Sequence, residues 1–162
     1  MSTTDRESVK SYSVKIDGAD ISDDMVTRLA EVEISLAFDM PGMFTLRFED
    51  DELEILGQNK VNLGDEVQIS VPKNDDNDTM VVIFAGEITA LEPEYEYGLR
   101  TILNVRGYDF SHRLNHGTYI RTFQNSKDSE IVSTMAGEAG LTPSVEATTT
   151  VWEYVMQYNQ TN

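Results

Sequence analysis

A chain of 162 residues with 29 Asp and Glu against 12 Lys and Arg carries a net charge of −17, and 40% of its residues are hydrophobic. That composition supports a packed core and excludes wholesale disorder, while the charge repels nucleic-acid phosphates and argues against direct DNA or RNA binding. Cysteine is absent, which excludes disulfides, thiol catalysis and cysteine-ligated metal, and no run of about 18 apolar residues offers a transmembrane helix.

The opening Met1-Ser2-Thr3-Thr4-Asp5-Arg6-Glu7 is polar and has no apolar h-region, so the sequence predicts no secretory signal and synthesis in the cytosol. Period-two alternation then dominates. Tyr12, Val14 and Ile16 alternate with polar residues until Asp17-Gly18. Val32, Ile34, Leu36 and Phe38 alternate with Glu31, Glu33 and Ser35. Met40-Pro41-Gly42-Met43 reads as a tight turn, with Pro second and Gly third. Phe44, Leu46 and Phe48 form the returning strand of this hairpin, one face dry and one wet.

Asp50-Asp51-Glu52-Leu53-Glu54 reads as a solvated loop. Gly64-Asp65 opens a strand of Val67, Ile69 and Val71 that Pro72 stops. Val81 to Ala90 is nearly all apolar, which fits burial on both faces or a bulge at Gly86. After a turn over Glu92 to Gly98, Leu99 to Tyr108 returns with Leu99, Thr101, Leu103 and Val105 on one side. Six strands joined by short turns predict a mainly β fold, a small barrel or sandwich, over residues 1–110.

The pattern changes beyond residue 110. Tyr119 to Phe123 is a short strand. Ser126 is the expected N-cap of a helix with Asp128 and Glu130 in its first turn. Ile131, Val132, Met135, Ala136 and Ala139 form its apolar face, and Gly140 and Pro143 end it. Thr148 to Met156 is extended. Residues 111–162 therefore read as the strand-helix-strand opening of a second, incomplete α+β domain. Asn159, Thr161 and Asn162 are N-cap types with no helix after them, so the chain is expected to be a piece of something longer. Charge divides along the same line: residues 1–110 hold 24 acids and 9 bases, residues 111–162 only 5 and 3.

Chemistry is not visible in the motifs. Asp75-Asp76-Asn77-Asp78 lacks the central Gly and distal Glu of a calcium loop and reads as a solvated hairpin. His112 and His116 have no third ligand or His-Glu-x-x-His context and read as part of a surface linker. There is no nucleophile elbow, phosphate loop or dinucleotide fingerprint. Trp152, Tyr154 and Tyr158 fit a core or interface. The expectation is a non-enzyme without cofactor or metal. The alternatives are a free-standing β-sandwich that binds a ligand or calcium, and a carbohydrate-active enzyme with an unmarked acid pair.

Three blocks in order carry a resemblance. The first is Phe84-Ala85-Gly86-Glu87-Ile88-Thr89-Ala90-Leu91-Glu92-Pro93 followed by Leu103-Asn104-Val105-Arg106-Gly107-Tyr108-Asp109. The second is Arg121-Thr122-Phe123-Gln124-Asn125, leading through the helix to Ala139-Gly140-Leu141. The third is Tyr154-Val155-Met156-Gln157-Tyr158-Asn159-Gln160-Thr161-Asn162. Together they resemble the phage late-control protein D and VgrG-like family of baseplate hub and spike proteins. The resemblance implies a β-barrel or split-barrel hub domain and a second related one. It also implies a trimer forming a pseudo-sixfold ring, and partners among tail-tube, baseplate and spike-tip proteins of a contractile tail, type VI secretion or other injection system. The motif residues are Gly86, Gly107, Tyr108, Asp109, Phe123, Gln124, Gly140, Gln157 and Tyr158. The uneven charge then suggests that Glu31, Glu33, Asp65, Glu66, Glu87 and Glu94 line a lumen.

Overall fold

A computed structural model describes residues 12–73, 76–96 and 100–162. The chain divides into two compact units, one ending at Asp109 and one comprising Phe110–Asn162. The fold is mainly β, and every strand pair is antiparallel.

The first unit contains β1 (Ser13–Ile16), β2 (Ala19–Asp20), α1 (Asp23–Arg28), β3 (Leu29–Ala37), β4 (Met40–Glu49), α2 (Glu54–Gly57), β5 (Glu66–Lys73), β6 (Asp76–Glu96) and β7 (Arg100–Asp109). Its seven strands pair in the order β2-β1-β5-β6-β7-β4-β3. β2 and β3 are the end strands, and no ladder joins them among the described residues. The 21-residue β6 is the spine: it pairs with β5 as far as Glu87 and with β7 from Gly86 onward.

The alternation seen in sequence is the physical origin of the core. Register aligns Ile34, Phe44, Gly107 and Ile88 in one row across the sheet, and Val32, Leu46, Val105 and Leu91 in the next. Side chains in such rows share a face. Phe44, Leu46, Phe48, Leu103 and Val105 are wholly buried, with Val14, Val67, Ile69 and Phe84 from β1, β5 and β6 packed into the same cluster. Each such side chain removed from water contributes about 1.5–3 kcal/mol. Phe44 and Phe84 meet edge to face at 5.4 Å.

Several expectations fail for identifiable reasons. The β3–β4 turn is Phe38-Asp39, because Ala37 pairs with Met40. Met40–Met43 already belong to β4, and Pro41 is tolerated near its start. Asp50 is not solvated: it is 0% exposed and tied to the helices on either side. The short α1 has no apolar periodicity to announce it, only the cap, where the Ser22 hydroxyl accepts the Met25 N–H at 3.4 Å. Val81, Val82 and Ile83 are exposed rather than buried. The register shifts along β6 fall opposite Ile69/Ser70 and Pro72/Lys73 and at Ile88/Ala90, not at Gly86. Asp75 lies outside the described residues, as do Leu99 and the N-terminal stretch.

The second unit opens with a 3₁₀ turn, Phe110–Asn115, followed by β8 (Tyr119–Lys127), α3 (Asp128–Glu138) and β9 (Val151–Gln160). β8 and β9 form an antiparallel ribbon, so the unit is α+β rather than a parallel crossover. Strand pairing continues to Lys127, which displaces the expected N-cap from Ser126. The Glu130 carboxylate then accepts the Lys127 N–H at 2.9 Å. Of the expected apolar face Ile131 is buried, but Val132 is half exposed. Gly140, at φ +72°, ends the helix in the left-handed region that glycine occupies without strain.

Candidate functional site

Opposite the core, the sheet of the first unit has a second face built by the same register. One row runs Glu31, Arg47, Asn104, Glu92 across β3, β4, β7 and β6. The next runs Glu33, Thr45, Arg106, Ala90. A third runs Ser35, Met43, Tyr108, Glu87 and on to Glu66 of β5, and a shorter one holds Glu49, Ile102 and Glu94. Five of the six expected acids, Glu31, Glu33, Glu66, Glu87 and Glu94, therefore share this face. Asp65 does not: it precedes β5, and its carboxylate accepts the Asn62 N–H at 2.8 Å.

Sequence reading missed the bases. Arg47, Arg100 and Arg106 stand among the acids, Arg100 bridging to Glu49 at 3.0 Å and Arg106 to Glu92 at 3.3 Å. Ala30, Glu31, Arg47, Glu49, Arg100 and Ile102 line an open depression of about 450 Å³ here. The depression itself is charge-balanced, with two acids and two bases, while the face as a whole is a hydrated, mainly anionic wall with internal ion pairs, each contributing little in water. Glu66 and Glu87 sit directly opposite each other on adjacent strands. Like charges in that position destabilise a sheet by a few tenths to about 1 kcal/mol.

The motif residues of the first unit hold the backbone. A Cβ added to Gly86 would lie 2.1 Å from the Tyr108 carbonyl oxygen, and one on Gly107 would lie 2.0 Å from the Glu87 oxygen. The two glycines therefore let β6 and β7 cross closely at the one place where β5, β6 and β7 run side by side. Asp109 accepts the Gly42 N–H at 2.6 Å and so fixes the start of β4 against the end of β7. Tyr108 lies on the charged face, about two-fifths exposed.

A separate ionic cluster was not foreseen. Arg28 of α1 donates to Asp24 and Asp50, each at 3.0 Å, and to Glu54. Lys60 donates to Asp24 at 3.1 Å. Asp50 also accepts the Glu54 and Ile55 N–H groups, each at 3.0 Å, so α1 and α2 are clamped through one carboxylate. The Lys60 hydrogen bond, and then Arg28, hold the Asp24 carboxyl below its usual range. Bonding to Glu54, then to Asp24, raises the Arg28 guanidinium. These contacts are structural in character.

In the second unit, Gln157 is the buried centre. Its Oε1 accepts from Arg121 Nε at 2.6 Å, and its Nε2 donates to the Gln160 and Thr161 carbonyls at 3.1 and 2.7 Å. Arg121 also reaches Glu138 of α3 and the Asn162 side chain, and lies over the rings of Tyr119 and Phe123 at 4.8 and 5.2 Å. Gln124 and Tyr158 are exposed on the opposite face of the ribbon with Ile120, Tyr154, Met156 and Trp152. His112 is buried rather than part of a surface linker, its ring 5.0 Å from that of His116. No group of three or more His, Cys, Asp or Glu arranged for a metal occurs among the described residues, and no helix there is long and apolar enough to cross a membrane.

Known structures share this fold. A 43 kDa tail protein of prophage MuSo2 from Shewanella oneidensis superposes with a TM-score of 0.68 at 13% identity, over 93% of this chain and 44% of that one. The E. coli c3393 protein, a type VI secretion component with structural similarity to the T4 tail proteins gp27 and gp5, superposes with a TM-score of 0.58 at 14% identity, over 91% and 39%. This chain thus spans less than half the length of either. No curated protein sequence matches it. The family of the Alg8 N-terminal domain matches residues 6–162, nearly the whole chain, and the protein belongs to that family.

Proposed function

We propose that this chain is a structural component of a phage-tail-like contractile injection particle, contributing without catalysis to the hub that joins tail tube to spike. The observation that carries this is the fold agreement over 93% of the chain with a prophage tail protein. The second superposition, on a type VI secretion component likened to tail proteins, supports the same setting. In this reading the chain works within a longer subunit, a trimer of which forms the ring. Its partners are tube, baseplate and spike-tip proteins.

The charged face is the natural wall of the channel. A surface on which seven carboxylates outnumber three guanidiniums does not retain a polyanion and keeps a passing chain hydrated. Two measurements test this. Gold labelling of an epitope-tagged copy should mark the baseplate end of contractile particles, and label confined to the particle-free fraction overturns the assignment. In assembled particles carrying Glu94→Cys, a small maleimide should react while a maleimide on a 5 kDa polymer, roughly the size of a small folded domain, should not. Equal reaction with both places the face outside.

A further inference from the structure

The end strand β3 of the first unit has an open edge. β3 pairs with β4 on one side and with no strand on the other among the described residues. It runs for nine residues, Leu29–Ala37, without proline or lysine; register shifts at Leu29/Glu31 and Ser35/Ala37 and the exposed acids Glu31 and Glu33 limit the regular open stretch to Glu31–Ser35. Its outward positions, Glu31 and Glu33, are exposed acids; its inward positions, Val32 and Ile34, are half-buried apolars whose row continues to the exposed Leu36. An added strand would bond its main chain to this edge and place its side chains beside those of β3.

We propose that β3 is a docking edge for a partner strand that alternates Lys or Arg with apolar residues. Charge selects the occupant: a base set against Glu31 and Glu33 on the same face stabilises the pair, and an acid there destabilises it. This disfavours a second copy of the same unit. Besides the two-residue end strand β2, a further open edge of this sheet is the stretch of β6 from Ala90 to Glu96, which among the described residues pairs with β7 alone. That edge presents Glu92 and Glu94 on the matching face and is interrupted by Pro93, which has no N–H to donate. Copy-to-copy pairing of β3 with β6 would set acids against acids across a broken ladder. β3 makes the same demand of any neighbour, in a tail or elsewhere.

The test uses the full chain and three labelled nonapeptides at low salt: alternating Lys-Val, alternating Glu-Val, and Lys-Val with alternate amides N-methylated. Fluorescence anisotropy should show Lys-Val binding at least tenfold tighter than Glu-Val. The Glu31→Lys, Glu33→Lys double variant should reverse that preference, whereas its change of net charge from −17 to −13 would by itself weaken the preference without inverting it. Amide hydrogen exchange should slow in β3 when Lys-Val binds the unaltered protein. Should the N-methylated peptide bind as well as its parent, or the double variant keep the original preference, only non-specific charge attraction is at work. A stable self-associated form of the unaltered protein with β3 protected would make the occupant a second copy and overturn the proposal.

Discussion

Single side chains decide the stability of the first unit at a few points. Asp50 is 0% exposed and satisfies two backbone N–H groups and Arg28 at once. Asp50→Ala should cost about 2–4 kcal/mol in urea unfolding, because it strands buried donors and a partly buried cation. Gly86→Ala and Gly107→Ala should each cost about 3 kcal/mol or more, since the new Cβ meets backbone oxygen at 2.1 and 2.0 Å. Gly57→Ala, with nothing within 4 Å of the added Cβ, should be neutral or slightly stabilising in the same assay. Asp24 offers a pH test. Its carboxyl is held below the ordinary value by Lys60 and Arg28, so its contribution is present above about pH 4 and lost as pH falls through the lowered folded value. The stability gap between the unaltered protein and Asp24→Asn should therefore narrow as pH falls below about 4; a gap that stays constant from neutral into acid pH would show that the carboxylate charge contributes nothing.

At the scale of elements, alternation told the truth about β3, β4, β5 and β7, because a half-buried strand exposes its period in the residues themselves. Helix α3 was legible for the same reason at the longer period. What escaped was whatever depends on register. The turn at Phe38-Asp39 follows from the Ala37–Met40 pairing, and Pro41-Gly42 nearby offered a stronger local signal for the wrong place. Asp50 looked solvated because it stands in a run of acids; only the return of Arg28 and the α2 backbone makes it an interior group. The three arginines of the charged face sit singly in β4 and β7, and only sheet order brings them beside the glutamates. Gly86 and Gly107 stood out in sequence, but the reason, the close crossing of β6 and β7, belongs to the fold. The motif blocks suggested the late-control protein D and VgrG-like family. The tail-protein folds agree with that at the coarser level, while the family that matches is that of the Alg8 N-terminal domain. The β3–β4 tip yields a further prediction. Phe38 is fully exposed, at 101%, so Phe38→Ser should change the unfolding midpoint by less than about 0.5 kcal/mol equivalent while making the chain more soluble.

For the whole molecule, a net charge of −17 on 162 residues is a standing self-repulsion. Raising salt from about 20 to 300 mM shortens the Debye length from roughly 20 Å to under 10 Å. The melting temperature should accordingly rise by a few degrees, and a flat response would mean that the local ion pairs already neutralise the effect. The pairing order also sets a timetable. β3 and β4 meet as a local hairpin, but the apolar row Phe44, Leu46 and Phe48 is completed only by β7, where Phe48 pairs with Leu103 and Met43 with Tyr108. At about 5–20 residues per second, a ribosome needs several seconds to deliver β7 after β4 has emerged. For that interval the hairpin presents an uncovered greasy surface beside an open edge, so the rate of synthesis and the presence of chaperones, rather than final stability, should govern how much of this protein reaches its folded form.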